Sequence, residues 1–205
     1  IALGIGMGLL SIWWERHHQG TESEFFAMGP LERILLANRA LWFYAGKLLW
    51  PVNLVFSYPR WTISAANPFA YFWLLVTAGF VALVYFARRR VGRSVEVAAL
   101  FFATTLSPML GFIMIFTFHY TFVSDHYQYL ASICPLVLIA GAATMATRHY
   151  RTIQSALMAS ALILLAYLTW RQAHNYKDAD TLWIETIRQY PESWVSENNY
   201  GTVLV

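Results

Sequence analysis

Residues 69–86 read FAYFWLLVTAGFVALVYF, eighteen positions without a charge, and run into Arg88-Arg89-Arg90-Val91-Gly92-Arg93. A helix rising about 1.5 Å per residue needs a run of that length to cross a hydrocarbon core about 30 Å thick. Outward from it, apolar runs recur at 1–14, 95–116, 129–147 and 152–170. A second basic knot, Arg148-His149-Tyr150-Arg151, separates the last two. Six of the fourteen Lys and Arg residues sit in these two knots. Basic residues collect in the cytoplasmic loops of membrane proteins, so the knots mark the cytoplasmic side and the other loops face away from it. The expected fold is all-α, a polytopic helical membrane protein.

Composition agrees. The chain is 58% hydrophobic and 12% charged, about half the charge of a soluble domain. The net charge of +3 comes from residues flanking apolar runs rather than from a patch with interleaved aromatics, which argues against a nucleic-acid partner. The single cysteine, Cys134, lies in an apolar run and cannot form an internal disulfide. Ile1 opens inside an apolar run and Val205 closes inside a helical pattern, so the sequence reads as a segment of a longer chain.

The remaining stretches have distinct characters. Residues 15–32 carry four acids against one Arg, which disfavours the cytoplasmic side. Residues 33–50 are apolar but interrupted by Asn38, Arg39 and Lys47. Two cations near mid-span would be costly against lipid, so this segment is expected as an interfacial or re-entrant helix rather than a crossing. Residues 51–68 hold Pro51, Pro59 and Pro68 with Phe56, Tyr58 and Trp61, an aromatic loop at headgroup level. Pro108 and Gly111 are expected to kink the 95–116 run. One topology satisfies every loop: both basic knots inside, everything else polar outside. Residues 1–171 then form a membrane domain, and 172–205 begin something else. There Ala179, Trp183, Thr186, Pro191 and Gly201 fall on positions of the 34-residue tetratricopeptide pattern, so the start of a helical solenoid is expected. An ordinary amphipathic helix pair is the alternative.

The run Leu41-Trp42-Phe43-Tyr44-Ala45-Gly46-Lys47-Leu48-Leu49-Trp50-Pro51-Val52-Asn53-Leu54, with Tyr58-Pro59-Arg60-Trp61 after it, resembles bacterial relatives of the transmembrane and tetratricopeptide-repeat O-mannosyltransferases. Ser124-Asp125-His126-Tyr127-Gln128-Tyr129-Leu130 is similar to the Asp-Arg-Tyr-x-Tyr-Leu motif of that group, with His126 where eukaryotic members usually have Arg. The resemblance covers most of the chain. It implies a C-type glycosyltransferase that takes sugar from a polyisoprenyl-phosphate carrier on the extracytoplasmic face of the membrane, the inner membrane in a bacterium. It also implies a protein acceptor presented by the repeats, and it leaves a divalent cation as an open requirement. The family's catalytic carboxylate belongs to an N-terminal external loop without counterpart in these residues, so no catalytic residue is expected in this segment.

Under that resemblance Arg39, Lys47, Arg60 and His126 are the candidates to bind the donor phosphate, and Asp125, Tyr127 and His119 to orient them. The residues taken alone also admit plainer roles. Arg39 and Lys47 could snorkel to the headgroups. Asp125, with Gln128 three residues later, could cap the helix that follows. His17-His18 offers two imidazoles but no evident third metal ligand. A non-enzymatic membrane scaffold, recruiting envelope proteins through its repeats, is the second reading. An acidic residue in the first external loop of the full-length sequence would favour the transferase.

Overall fold

The computed structural model describes residues 2–18 and 27–204, and every regular element among them is helical. In chain order these are α1 (Ala2–His18), α2 (Pro30–Leu49), α3 (Phe72–Val91), α4 (Ser94–Leu106), α5 (Ile133–Thr147), α6 (Arg151–His174), α7 (Ala179–Gln189) and α8 (Trp194–Val203). The middle of the acid-rich stretch, 19–26, lies outside the described residues.

Among the described residues two helices are long and apolar enough to cross a membrane: Pro68–Val91, counting a leading 3-10 turn, and Arg151–His174, each of 24 residues, with mean hydropathy 2.0 and 1.6. A core helix of a soluble domain would bury such a surface, yet the apolar windows of both are 0% buried in protein. On α6, Leu162, Ile163, Leu164 and Leu165 all stand exposed. The other expected runs give shorter helices. The 95–116 run is helical only over Ser94–Met109 and the 129–147 run only over Ile133–Thr147.

The first of these breaks has a clear cause, and it is more than the expected kink. Pro108 lacks the N–H that would continue the helix and opens a short 3-10 turn, Ser107–Met109. Gly111 follows at φ +89°, and a Cβ there would sit 2.5 Å from Leu36 Cδ2. The backbone therefore stops, presses against α2 and turns away. Residues 110–132 continue as an irregular strap of turns and short 3-10 helices at 116–119 and 125–128.

Helix α2 is the hub. Pro30 sits in its first turn, where its missing N–H costs nothing. Glu32 reaches back to accept the Gly29 N–H at 3.1 Å and also accepts the Ala65 N–H at 3.4 Å, which ties the start of α2 to the following loop. Leu35, Leu36, Ala37, Ala40 and Tyr44 are buried, and two core clusters grow from them, packed with Leu106, Leu110 and Val123 on one side and Met114, Phe118 and Phe122 on the other. Toward α3, the Trp42 indole N–H donates to Thr77 Oγ1 at 2.9 Å.

Short connections join the packed pairs α3–α4 and α5–α6, so the basic knots lie together at one end of the helices. The 50–71 loop, the 107–132 strap and the C-terminal residues gather at the other. There α7 and α8 pack as a helix–turn–helix around buried Thr186 and Ser196. The pair is docked on the loops, where Phe56 meets Trp183 edge-on and His119 meets Trp194, and Gln172 at the end of α6 donates to the Leu54 carbonyl beside it.

Candidate functional site

The candidate site forms where α2, the 50–61 loop, the 121–128 strap and the end of α7 meet. Its base is the Tyr44 hydroxyl, fully buried, which accepts the Ser124 N–H at 3.1 Å. That bond holds the residues after Ser124 against α2. Thr121 stiffens the approach, its Oγ1 donating to the Val123 carbonyl at 2.8 Å and accepting the Val123 N–H.

Asp125 is fixed by Tyr58, whose hydroxyl donates to Oδ1 at 2.8 Å. The other carboxylate oxygen, Oδ2, is buried without a hydrogen-bond partner among the described residues. Burial pushes the Asp125 carboxyl above the usual carboxylate range, and the Tyr58 bond and the nearby Lys47 charge only partly offset this. Tyr58 is itself pushed up by burial and by the Asp125 charge. Tyr190, at the end of α7, closes the cluster edge-on to Tyr58, with ring centroids 5.5 Å apart.

The capping role expected for Asp125 is corrected by this geometry. Neither the 3-10 turn that begins at Asp125 nor α5 has a side-chain cap, because the carboxylate turns toward Tyr58. Nor does Asp125 orient His126 by a hydrogen bond. The His126 Nδ1 pairs with Ser124 Oγ at 2.9 Å, its ring lies edge-on to Tyr127, and the side chain is exposed.

Lys47 and Arg39, the cations within the apolar run of α2, both lie against aromatic rings. Lys47 donates to the carbonyls of Val52 at 2.6 Å and Asn53 at 3.0 Å, and its ammonium lies 5.2 Å from the Tyr58 ring centroid. It pins the turn after α2, where Asn53 adopts φ +52°. Arg39 lies over Trp61 at 4.3 Å, and its N–H groups meet no hydrogen-bond acceptor among the described residues. A stacked guanidinium keeps its edge available for a planar anion. Trp61, Phe43 and Tyr58 form a continuous aromatic row, with centroids 5.6 Å and 5.0 Å apart, leading from Arg39 to Asp125.

The other expected residues lie apart from that row. Arg60 stacks on Phe122 at 4.8 Å. Tyr127 donates to Thr117 Oγ1 at 3.2 Å. His119 stands in an aromatic group with Phe116, Tyr120 and Trp194. Tyr44 and Ser124, which lie within the two runs that carry the resemblance but are not among its candidate residues, and Tyr190, which lies outside both, have structural roles in the site. Only the apolar spacing of Tyr44 along α2, in register with Leu36, Ala37 and Ala40, marks it as inward-facing. At the other end of the chain, His17 and His18 stack on Trp13 and Trp14. Among the described residues no three of His, Cys, Asp and Glu converge.

No family model, no curated protein and no solved structure matches the chain. Assignment of the site therefore rests on its own chemistry: one stacked arginine, one exposed imidazole, and a buried carboxylate held by a tyrosine.

Proposed function

We propose that this chain is part of a polytopic membrane glycosyltransferase that moves a sugar from a polyisoprenyl phosphate to a protein acceptor on the extracytoplasmic face. The observation that carries this reading is Arg39 over Trp61 at 4.3 Å, with no acceptor for its N–H groups among the described residues and the Trp61–Phe43–Tyr58 row beside it. Exposed apolar helices supply the membrane setting. Basic knots belong on the cytoplasmic side, which puts the aromatic row outside.

Transfer breaks the bond between the sugar C1 and the carrier phosphate oxygen and joins C1 to an acceptor hydroxyl oxygen, whose proton must leave. Negative charge grows on the departing phosphate, and cationic donors placed there stabilise it. Arg39 is suited to that task, and so is His126, whose Nε2 has no partner among the described residues. Lys47 is spent on backbone carbonyls and contributes field rather than contact. Asp125 holds the Tyr58 loop, and the base for the acceptor proton lies elsewhere in the protein. In this reading the α7–α8 pair begins the tetratricopeptide repeats and presents the acceptor.

The test is transfer activity of the full-length protein in membranes. Loss of one charge-assisted hydrogen bond, about 1.5–3 kcal/mol, lowers a rate roughly tenfold or more. Arg39→Ala and His126→Ala should each show such a loss with the protein still folded, and His126→Arg should retain transfer. Wild-type rates in both alanine variants would remove the phosphate-binding role.

A further inference from the structure

At the opposite end of the helices, α3 and α4 leave a cleft of about 200 Å³ between them. Phe80, Val84 and Tyr85 line it from α3 and Leu100 from α4, with Arg88 and Glu96 at its polar positions. A volume of that size would take about seven waters at ~30 Å³ each, but water needs two to four polar partners apiece and these walls are mostly carbon. The cleft suits a hydrocarbon chain.

Its rim is cationic. Arg88, Arg89 and Arg90 close the last turn of α3, and Arg93 follows one residue past Gly92. Glu96 is the only acid in the chain between Glu32 and Asp125, and Arg88 lines the cleft with it, while Arg89, Arg90 and Arg93 add positive charge within five residues of Arg88. None of the four arginines makes an ion pair with a described residue. Arg88 lies over Tyr85, 4.0 Å from the ring centroid, and both residues line the cleft. In the wall, Glu96 Oε2 is buried with no hydrogen-bond partner among the described residues, and a hydroxylated headgroup would supply the donor it lacks.

We propose that this cleft binds an anionic glycerophospholipid, with its phosphate on the Arg88–Arg93 rim and one acyl chain between α3 and α4. The inference rests on the membrane placement proposed above. Charge complementarity selects the occupant: a basic pocket between membrane helices on the cytoplasmic side favours an anionic headgroup, and a mostly apolar cleft beneath it favours a chain over a free anion.

The experiment is lipid binding by the purified chain in detergent, read by native mass spectrometry, with phosphatidylglycerol and phosphatidylcholine of matched chains. Phosphatidylglycerol should bind roughly tenfold tighter or more, since each basic residue near the headgroup contributes about 1 kcal/mol. Arg88→Gln with Arg89→Gln should abolish the preference, and Leu100→Trp, which fills the cleft without touching the charges, should lower retention of phosphatidylglycerol. Arg148→Gln with Arg151→Gln, at the other knot, should leave both intact. Equal binding of the two lipids, displacement by inorganic phosphate, undiminished binding to Leu100→Trp, or an equal loss at the second knot would each overturn the site. Alkaline carbonate separates the two proposals. Release of the chain from membranes would overturn the membrane placement and the lipid site together, whereas retention without lipid preference overturns the lipid site alone.

Discussion

Tyr44 is buried and Asp125 half-buried, and the two stabilise the protein differently. The Tyr44 hydroxyl satisfies a backbone N–H in a dry place, so Tyr44→Phe leaves the Ser124 N–H without an acceptor. A buried donor without a partner costs about 1–3 kcal/mol, and a lowered melting temperature of the purified variant checks this. Asp125 works in the opposite sense. Its folded carboxyl holds a proton at a pH where the unfolded chain has released it, so its contribution is complete below the ordinary value of 3.8 and lost as pH rises through the folded value. Asp125→Asn should therefore shrink the fall in melting temperature as pH rises above the ordinary carboxylate value of 3.8. An unchanged slope would mean that the carboxyl is not what titrates. The residue types at the site were legible in the sequence, but their partners were not. Asp125 three residues before Gln128 fits a helix cap, and nothing local reveals that Tyr58, far away in the chain, takes the carboxylate instead. The same holds for Lys47, whose stem could as well have reached headgroups as the carbonyls of its own turn.

At the scale of elements, apolar runs and breakers located the long helices well, because α3 and α6 owe their lengths to uninterrupted runs bounded by Pro, Gly and basic residues. Where the sequence misled was 95–116, read as a kinked helix and found as a helix that ends. Hydropathy counts apolar residues and is blind to whether their backbone is helical. Met114, Phe118 and Phe122 are apolar because the strap packs on α2, and Gly111 turns against Leu36, a contact between segments distant in the chain. Gly111→Ala should cost about 1–2 kcal/mol from the positive φ alone and more from the contact with Leu36. Limited proteolysis should then cut the 110–132 strap faster than in wild type, while α3 and α6 stay resistant. Unchanged cleavage would show that the strap does not depend on this turn.

For the whole molecule, α2 divides two environments. One of its faces carries Arg39, Phe43 and Lys47 toward the loops, and the other, through Leu41, Ala45 and Leu48, lines an apolar cavity of about 300 Å³ against α3, α4 and α5. A helix packed on both sides explains how two cations sit in an apolar run without facing lipid. The C-terminal pair is part of the same assembly, since Gln172, Trp183, Tyr190 and Trp194 all touch the loops. Everything functional in this reading depends on those loops sharing one side of a membrane, away from the basic knots. Cysteine labelling of intact cells tests that most directly. With Cys134 replaced by Ala, single cysteines go at Ala27, Thr62, Arg90 and Glu192, all exposed; Ser193, beside the last, is buried and would mislead. The structure and the placement of the basic knots predict that an impermeant reagent labels Ala27, Thr62 and Glu192 in intact cells and Arg90 only after permeabilisation. Opposite sidedness of Ala27 and Thr62 would mean that α2 crosses the membrane, and labelling of Arg90 in intact cells would contradict the orientation altogether.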